Sequence, residues 1–188
     1  MARAPLQVLV LPFRYTAGGS IAYAIFRRHD HADACWQGVA GGAEQGESAA
    51  EAARREMMEE AGIPSAAPLL PLDTKTSVPA AEFHERDLWG SGHYVVTEHA
   101  FGVLLEDGQA ITLSSEHTEY RWLPYEEALE LLRWDSNRTA LWELNERLRR
   151  RHGVARHLRL TNPDGSLPSS QQTQADMATA KLPRRSCE

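Results

Sequence analysis

Only two cysteines occur in 188 residues, Cys35 and Cys187. They lie far apart and fit neither a disulfide framework nor a cysteine-based metal site. Basic charge is in deficit: 20 lysines and arginines face 26 acids, for a net charge of −6. That argues against nucleic acid as the main partner, which calls for a basic face. No apolar run approaches membrane-spanning length, and residues 1–5 begin no signal-peptide core. The expectation is a reduced, cytoplasmic setting with no membrane partner. An acidic chain can still bind a small anion, because bound cations invert the local field.

What is present suffices for one domain with a core, since 42% of the residues are hydrophobic. Residues 7–15 and 20–27 read as strands around Gly18 and Gly19, and 36–40 as a third short strand. Further strands are expected at 72–78, 93–105, 111–113 and 120–123, with an irregular excursion at 80–92 and a turn at Asp107 and Gly108. Helices are expected from Ser48, after Pro124 to about Arg133, and after a cap at Ser136, the last with Leu141, Leu144 and Leu148 on one stripe. There is no internal repeat. Strands interleaved with helices predict an α/β fold, an α/β/α sandwich with a mixed sheet. Residues 1–160 are expected to form one domain. From Asn162 the chain turns Pro-, Ser-, Gln- and Thr-rich, so 161–188 is expected to be a disordered tail.

The informative stretch is 41–63. It satisfies G-x5-E-x7-R-E-U-x-E-E-x-G-U, with U apolar, at every specified position: Gly41, Glu47, Arg55, Glu56, Met57, Glu59, Glu60, Gly62 and Ile63. By average composition, a chance match in such a chain is of order one in ten million. Ser48 and Glu51 form a capping-box pattern, and Gly62 followed by Pro64 supplies the helix stop. At about 100° per residue, Glu56, Glu59 and Glu60 share one arc, while Ala50, Met57 and Ala61 share another that packs on the sheet. Carboxylates so close repel one another unless cations neutralise them, and hard oxygen donors suit Mg2+ or Mn2+ better than zinc.

This pattern is the Nudix box, and the chain resembles the Nudix family of hydrolases that cut a diphosphate linked to another group. The resemblance implies that Glu56, Glu59 and Glu60 are metal ligands, one of them placing or deprotonating the attacking water. It implies that Glu47 and Arg55 pair to lock loop to helix, and that the Ala40 carbonyl, just before Gly41, joins the coordination shell. Many relatives have Pro-Gly-Gly at this loop, where this chain has Val39, Ala40, Gly41 and Gly42; a carbonyl ligand tolerates that change.

The segments 35–41, 97–101, 115–123 and 134–138 further resemble bacterial dihydroneopterin triphosphate pyrophosphatases. Under that likeness Glu116, in the pair with His117, reaches the metals as a fourth ligand or general base, with Glu119 as the competitor. Arg27 or Arg28 meets the substrate phosphates. Trp36 either stacks on a base or pterin or belongs to the core. His84, Arg86 and Trp89 are loop candidates for shaping the pocket. The implied reaction is hydrolysis of a nucleoside or dihydroneopterin triphosphate to monophosphate and pyrophosphate. Pro79, sixteen residues past Ile63, points to the alternative of an ADP-ribose or other nucleoside diphosphate-X hydrolase. House-cleaning of damaged (d)NTPs is a further alternative, and a non-catalytic ligand sensor a fourth. The partner is a small-molecule diphosphate or triphosphate, and the likeness is compatible with a homodimer.

Overall fold

Thirteen residues in one strand organise the molecule. In the computed structural model, which describes residues 3–29, 35–106 and 108–160 (of 151–160 the backbone alone), β1 spans Arg3–Tyr15. The tail expected at 161–188, with Cys187, and the turn residue Asp107 lie outside the described residues. The chain divides into Met1–Glu146 and Arg147–Glu188. The first unit holds every strand and is described below.

β1 is long enough to serve more than one neighbour along each edge. Its first part pairs antiparallel with β4 (Val39–Glu44), and its last three residues pair with β2 (Ile21–Arg28). Along the other edge it runs parallel to β6 (Val95–Leu104), from Leu6 beside Thr97 to Phe13 beside Leu104. β5 (Leu69–Pro79) covers β6, while β2 also pairs with β3 (Trp36–Gln37) and β7 (His117–Leu123). One parallel junction among antiparallel ones makes the seven-stranded sheet mixed. The expected α/β architecture is therefore present.

α1 (Ala49–Ala61) begins at Ser48, whose hydroxyl accepts from the Glu51 N–H while the Glu51 carboxylate accepts from the Ser48 N–H. It ends at Gly62, whose φ of 64° is left-handed, as a C-terminal cap requires. Ala52, Ala53, Met57 and Ala61 pack into a core with Val8, Val10, Phe26 and Val103. Ala50, expected on that face, is exposed, and Ala49, Ala52 and Ala53 face the core at this end of α1 instead. On the other face, Leu144 of α3 (Asp135–Leu160) sits over Gly102, where an added Cβ would lie 2.7 Å from its Cδ1. Asn145 of the same helix accepts from the Tyr23 hydroxyl at 3.0 Å. A shorter helix, α2 (Tyr125–Leu131), precedes it.

Two expectations change. Residues 111–113 are not a strand: Thr112 N–H donates to the Ala61 carbonyl and Ser114 N–H to that of Glu60, so the segment closes the C-terminal end of α1. Free carbonyls at a helix end need donors, and here they outcompete sheet pairing. The excursion at 80–92 contains two 3-10 turns, Ala80–Glu82 and His84–Trp89. The Trp89 indole N–H donates to the Arg3 carbonyl at 2.7 Å, which ties this excursion to the start of β1. Among the described residues, no helix is long and apolar enough to cross a membrane.

Candidate active site

The box glycine sits in β4 opposite Val8, and the carboxylate of Glu56 lies flat against it. A Cβ at Gly41 would fall 2.0 Å from the Glu56 carboxyl carbon, so only glycine permits this approach. Arg55 holds the assembly together. Its guanidinium donates to both Glu47 oxygens at 2.9 and 3.0 Å, to Glu56 at 2.8 Å, to Glu59 at 3.0 Å and to the Gly42 carbonyl at 3.0 Å. The hydrogen bonds from Arg55 hold the Glu47 carboxyl below its ordinary value. Loop, helix start and carboxylate row are thereby fixed by one planar fork.

The three helix glutamates are not equivalent. Glu56 and Glu60 are buried beside Met57, whereas Glu59 is exposed at the rim. Burial raises the Glu56 carboxyl above the usual range, although Arg55 and Arg3 oppose the rise. Glu60 is pushed up to about 8, first by burial and then by repulsion from Glu56 and Glu116; the Ala40 N–H partly offsets this. Oε2 of Glu60 has no hydrogen-bond partner among the described residues, and the nearest cationic candidate, His117 Nε2, stands 3.9 Å away. Two buried carboxylates that stay uncomfortable in each other's company are a site prepared for positive charge.

Among the described residues, no three acidic, histidine or cysteine groups already close on one point as a cation cage. Mg2+ does not require one: it keeps several waters and takes one or two carboxylates plus substrate oxygens. The donor set here, oxygen only and open on the cleft side, fits that habit.

Register decides between the candidates outside the box. β2 and β7 pair Arg27 with Glu119, and a bulge then brings Arg28 opposite His117. Arg27 and Arg121 therefore pair with Glu119, at 3.7 and 2.6 Å. Arg28 instead lies 3.5 Å from Glu116, and both line a cleft of about 340 Å³ with Glu56, Glu60, Ala40 and Gly41. Glu116 thus enters the cleft, while Arg27 and Glu119 lie outside its lining. Trp36 is not brought there either. It is 9% exposed, with the Arg121 guanidinium 4.7 Å above its ring, which corrects the stacking alternative in favour of the core. His84 and Trp89 line the cleft; Arg86 pairs with Asp87 at 3.6 Å.

Two residues that face the box carboxylates escaped the sequence reading. Arg3 donates to the Gly42 carbonyl at 2.9 Å and lies 3.6 Å from Glu56; only the β1–β4 register, Arg3 beside Glu44, brings it there. His117 was noted only as the neighbour of Glu116, yet it is buried against Phe26 and faces Glu60. The Glu-His pair was the available signal, but its strand register was not.

Comparison with known proteins identifies the family. The NUDIX domain family matches residues 7–142. Dihydroneopterin triphosphate diphosphatase of Escherichia coli K12 is 34% identical over 139 residues, covering 73% of this chain and 89% of that protein. A structure from Listeria monocytogenes described as a NUDIX hydrolase is 41% identical with a TM-score of 0.70, over 79% of this chain and 97% of that one. The E. coli dihydroneopterin triphosphate pyrophosphohydrolase structure gives 27% identity and a TM-score of 0.62, over 77% and 99%. The match spans most of the chain and carries the complete box on the helix and loop just described. This chain belongs to the Nudix hydrolase family, whose members act on pyrophosphate bonds.

Proposed function

We propose that this chain hydrolyses dihydroneopterin triphosphate, or a nucleoside triphosphate of similar shape, to the monophosphate and pyrophosphate with Mg2+ or Mn2+. The observation that carries the reading is the cleft in which buried Glu56 and Glu60 face Glu116 and Arg28. The 34% identity to the E. coli diphosphatase supports the choice of substrate.

In this reading Glu56, Glu59, Glu60 and the Ala40 carbonyl hold the cation. When bound, it supplies neutralisation of phosphate charge and a lowered pKa for water. Glu116 accepts the proton of the attacking water, as a carboxylate on the open side of the cleft can. Arg28 releases Glu116 toward the substrate and meets the phosphate oxygens; its planar fork suits them. Arg3 offers a second cation at the same end.

Glu116→Gln is expected to lower kcat by about 100- to 1,000-fold, within the range of a lost general base. Glu119→Gln should change it by less than about threefold, because Glu119 serves an exposed pair with Arg27 and Arg121. Steady-state kinetics on both variants check this, and equal losses would show that the strand register does not select the base.

The substrate itself is tested by a screen of dihydroneopterin triphosphate, the four dNTPs and ADP-ribose with Mg2+, products resolved by mass. Pyrophosphate and monophosphate from dihydroneopterin triphosphate at the highest kcat/KM is the expected result. AMP and ribose phosphate from ADP-ribose as the preferred reaction would replace this reading.

A further inference from the structure

The groove beside the catalytic cleft contains a buried acid that the chemistry above does not use. Glu98 lies on β6 with Gln7 of β1 and Thr76 of β5 as its ladder partners, so the three side chains form one polar row across the sheet. Its neighbours on that face of β6, Val96 and Ala100, are buried and apolar. Glu98 is 7% exposed and lines a groove of about 510 Å³, a size suited to a small organic ligand. The groove continues from the catalytic cleft through Gln7, Arg28 and Ala40. Trp134, Phe83 and Pro79 give it apolar walls on which a planar ring can lie.

We propose that Glu98 is the specificity-determining residue for the group attached to the triphosphate, and that it selects a 2-amino-4-oxopyrimidine ring, the unit shared by pterins and guanine. This rests on the reading of the neighbouring cleft as that of a triphosphate hydrolase. A carboxylate has about four acceptor positions and, when ionised, no donor. The Ser136 hydroxyl donates to Glu98 and leaves most of that capacity open to the groove. A ligand that supplies donors side by side satisfies it. The ring N–H and adjacent amino group of a 2-amino-4-oxopyrimidine do so in the two-point manner of a guanidinium on a carboxylate. Adenine presents one donor beside one lone pair and places that lone pair against an oxygen. Burial raises the Glu98 carboxyl above its ordinary value, and paired donors from a ligand favour its ionised form.

The test compares kcat/KM for dGTP, dITP and dATP, which differ at this edge and carry the same triphosphate. The wild-type chain is expected to prefer dGTP over dATP by about 10- to 100-fold, the range for hydrogen bonds to a charged group, with dITP between them. In Glu98→Gln, checked for folding by thermal melting, the ratio should fall to within about threefold. Equal use of dGTP and dATP by the wild type overturns the inference, as does retained preference in the folded variant. If the variant does not fold, the wild-type order alone decides. Calorimetric Kd values for dGMP, dIMP and dAMP in EDTA read the groove without turnover. A preference for dGMP with no pyrophosphate released from any triphosphate would keep this inference and remove the hydrolase reading. Pyrophosphate release without base preference would do the reverse.

Discussion

Glu60→Gln is expected to lower kcat by about three orders of magnitude or more while the protein stays folded, since several kcal/mol of charge stabilisation are lost. Glu60 sits in the last turn of α1, buried, with Oε2 left without a hydrogen-bond partner among the described residues. Glutamine keeps its shape and removes the charge a cation needs. The stability of the metal-free protein should move the other way. With the Glu60 carboxyl pushed up to about 8 from 4.5, the native state holds a proton that the unfolded chain releases between those values. The stability that this proton contributes is therefore fully present below about pH 4.5 and is lost as pH rises through 8. Glu60→Gln removes that loss, so in EDTA the variant should match wild type near pH 4 and exceed it by about 1–3 kcal/mol at pH 8. Denaturant titrations across this range read the difference. A variant with near wild-type turnover, or one destabilised at pH 8, would show that Glu60 does not carry the assigned charge.

Gly41→Ala is expected to lower kcat/KM by about 100-fold, the size of effect that an ångström of misplacement produces in a reacting constellation. The added methyl would stand 2.0 Å from the Glu56 carboxyl carbon and 2.2 and 2.3 Å from its oxygens. Glu56 cannot yield freely, because Arg55 grips one of those oxygens at 2.8 Å and binds Glu47 and Gly42 with the same guanidinium. Displacing it pulls on the whole loop, at about 1–3 kcal/mol of stability, as overpacking does. Gly92→Ala is the control: nothing lies within 4 Å of its Cβ position. It should melt and turn over like wild type. An active Gly41→Ala enzyme would mean that the Glu56 position is not critical.

The box helix was legible in detail because its signals are local. Ser48, Glu51 and Gly62 act on backbone groups a few residues away, so sequence spacing alone reports them. The pairing of Glu47 with Arg55 was implied by family likeness, and the two stand eight residues apart, Glu47 just before the cap residue Ser48 and Arg55 within α1. The segment 111–113 misled for the opposite reason. Its apolar alternation suits a strand, but the carbonyls of Glu60 and Ala61, fifty residues earlier, claim its donors.

The sequence by itself determined the reaction class: seven identities at fixed spacing put carboxylates and their arginine on one helix, where helical geometry leaves little freedom. Tertiary structure alone decided which other residues join them. A bulge between Arg27 and Arg28 sends Arg28 and Glu116 to the cleft and leaves Arg27, Glu119 and Trp36 elsewhere. Parallel pairing of β1 with β6 lines up Gln7 with Glu98 across 91 positions of chain. Strand side chains alternate with a period of two, so a one-residue shift in pairing reverses every face, and sequence spacing carries no record of that shift.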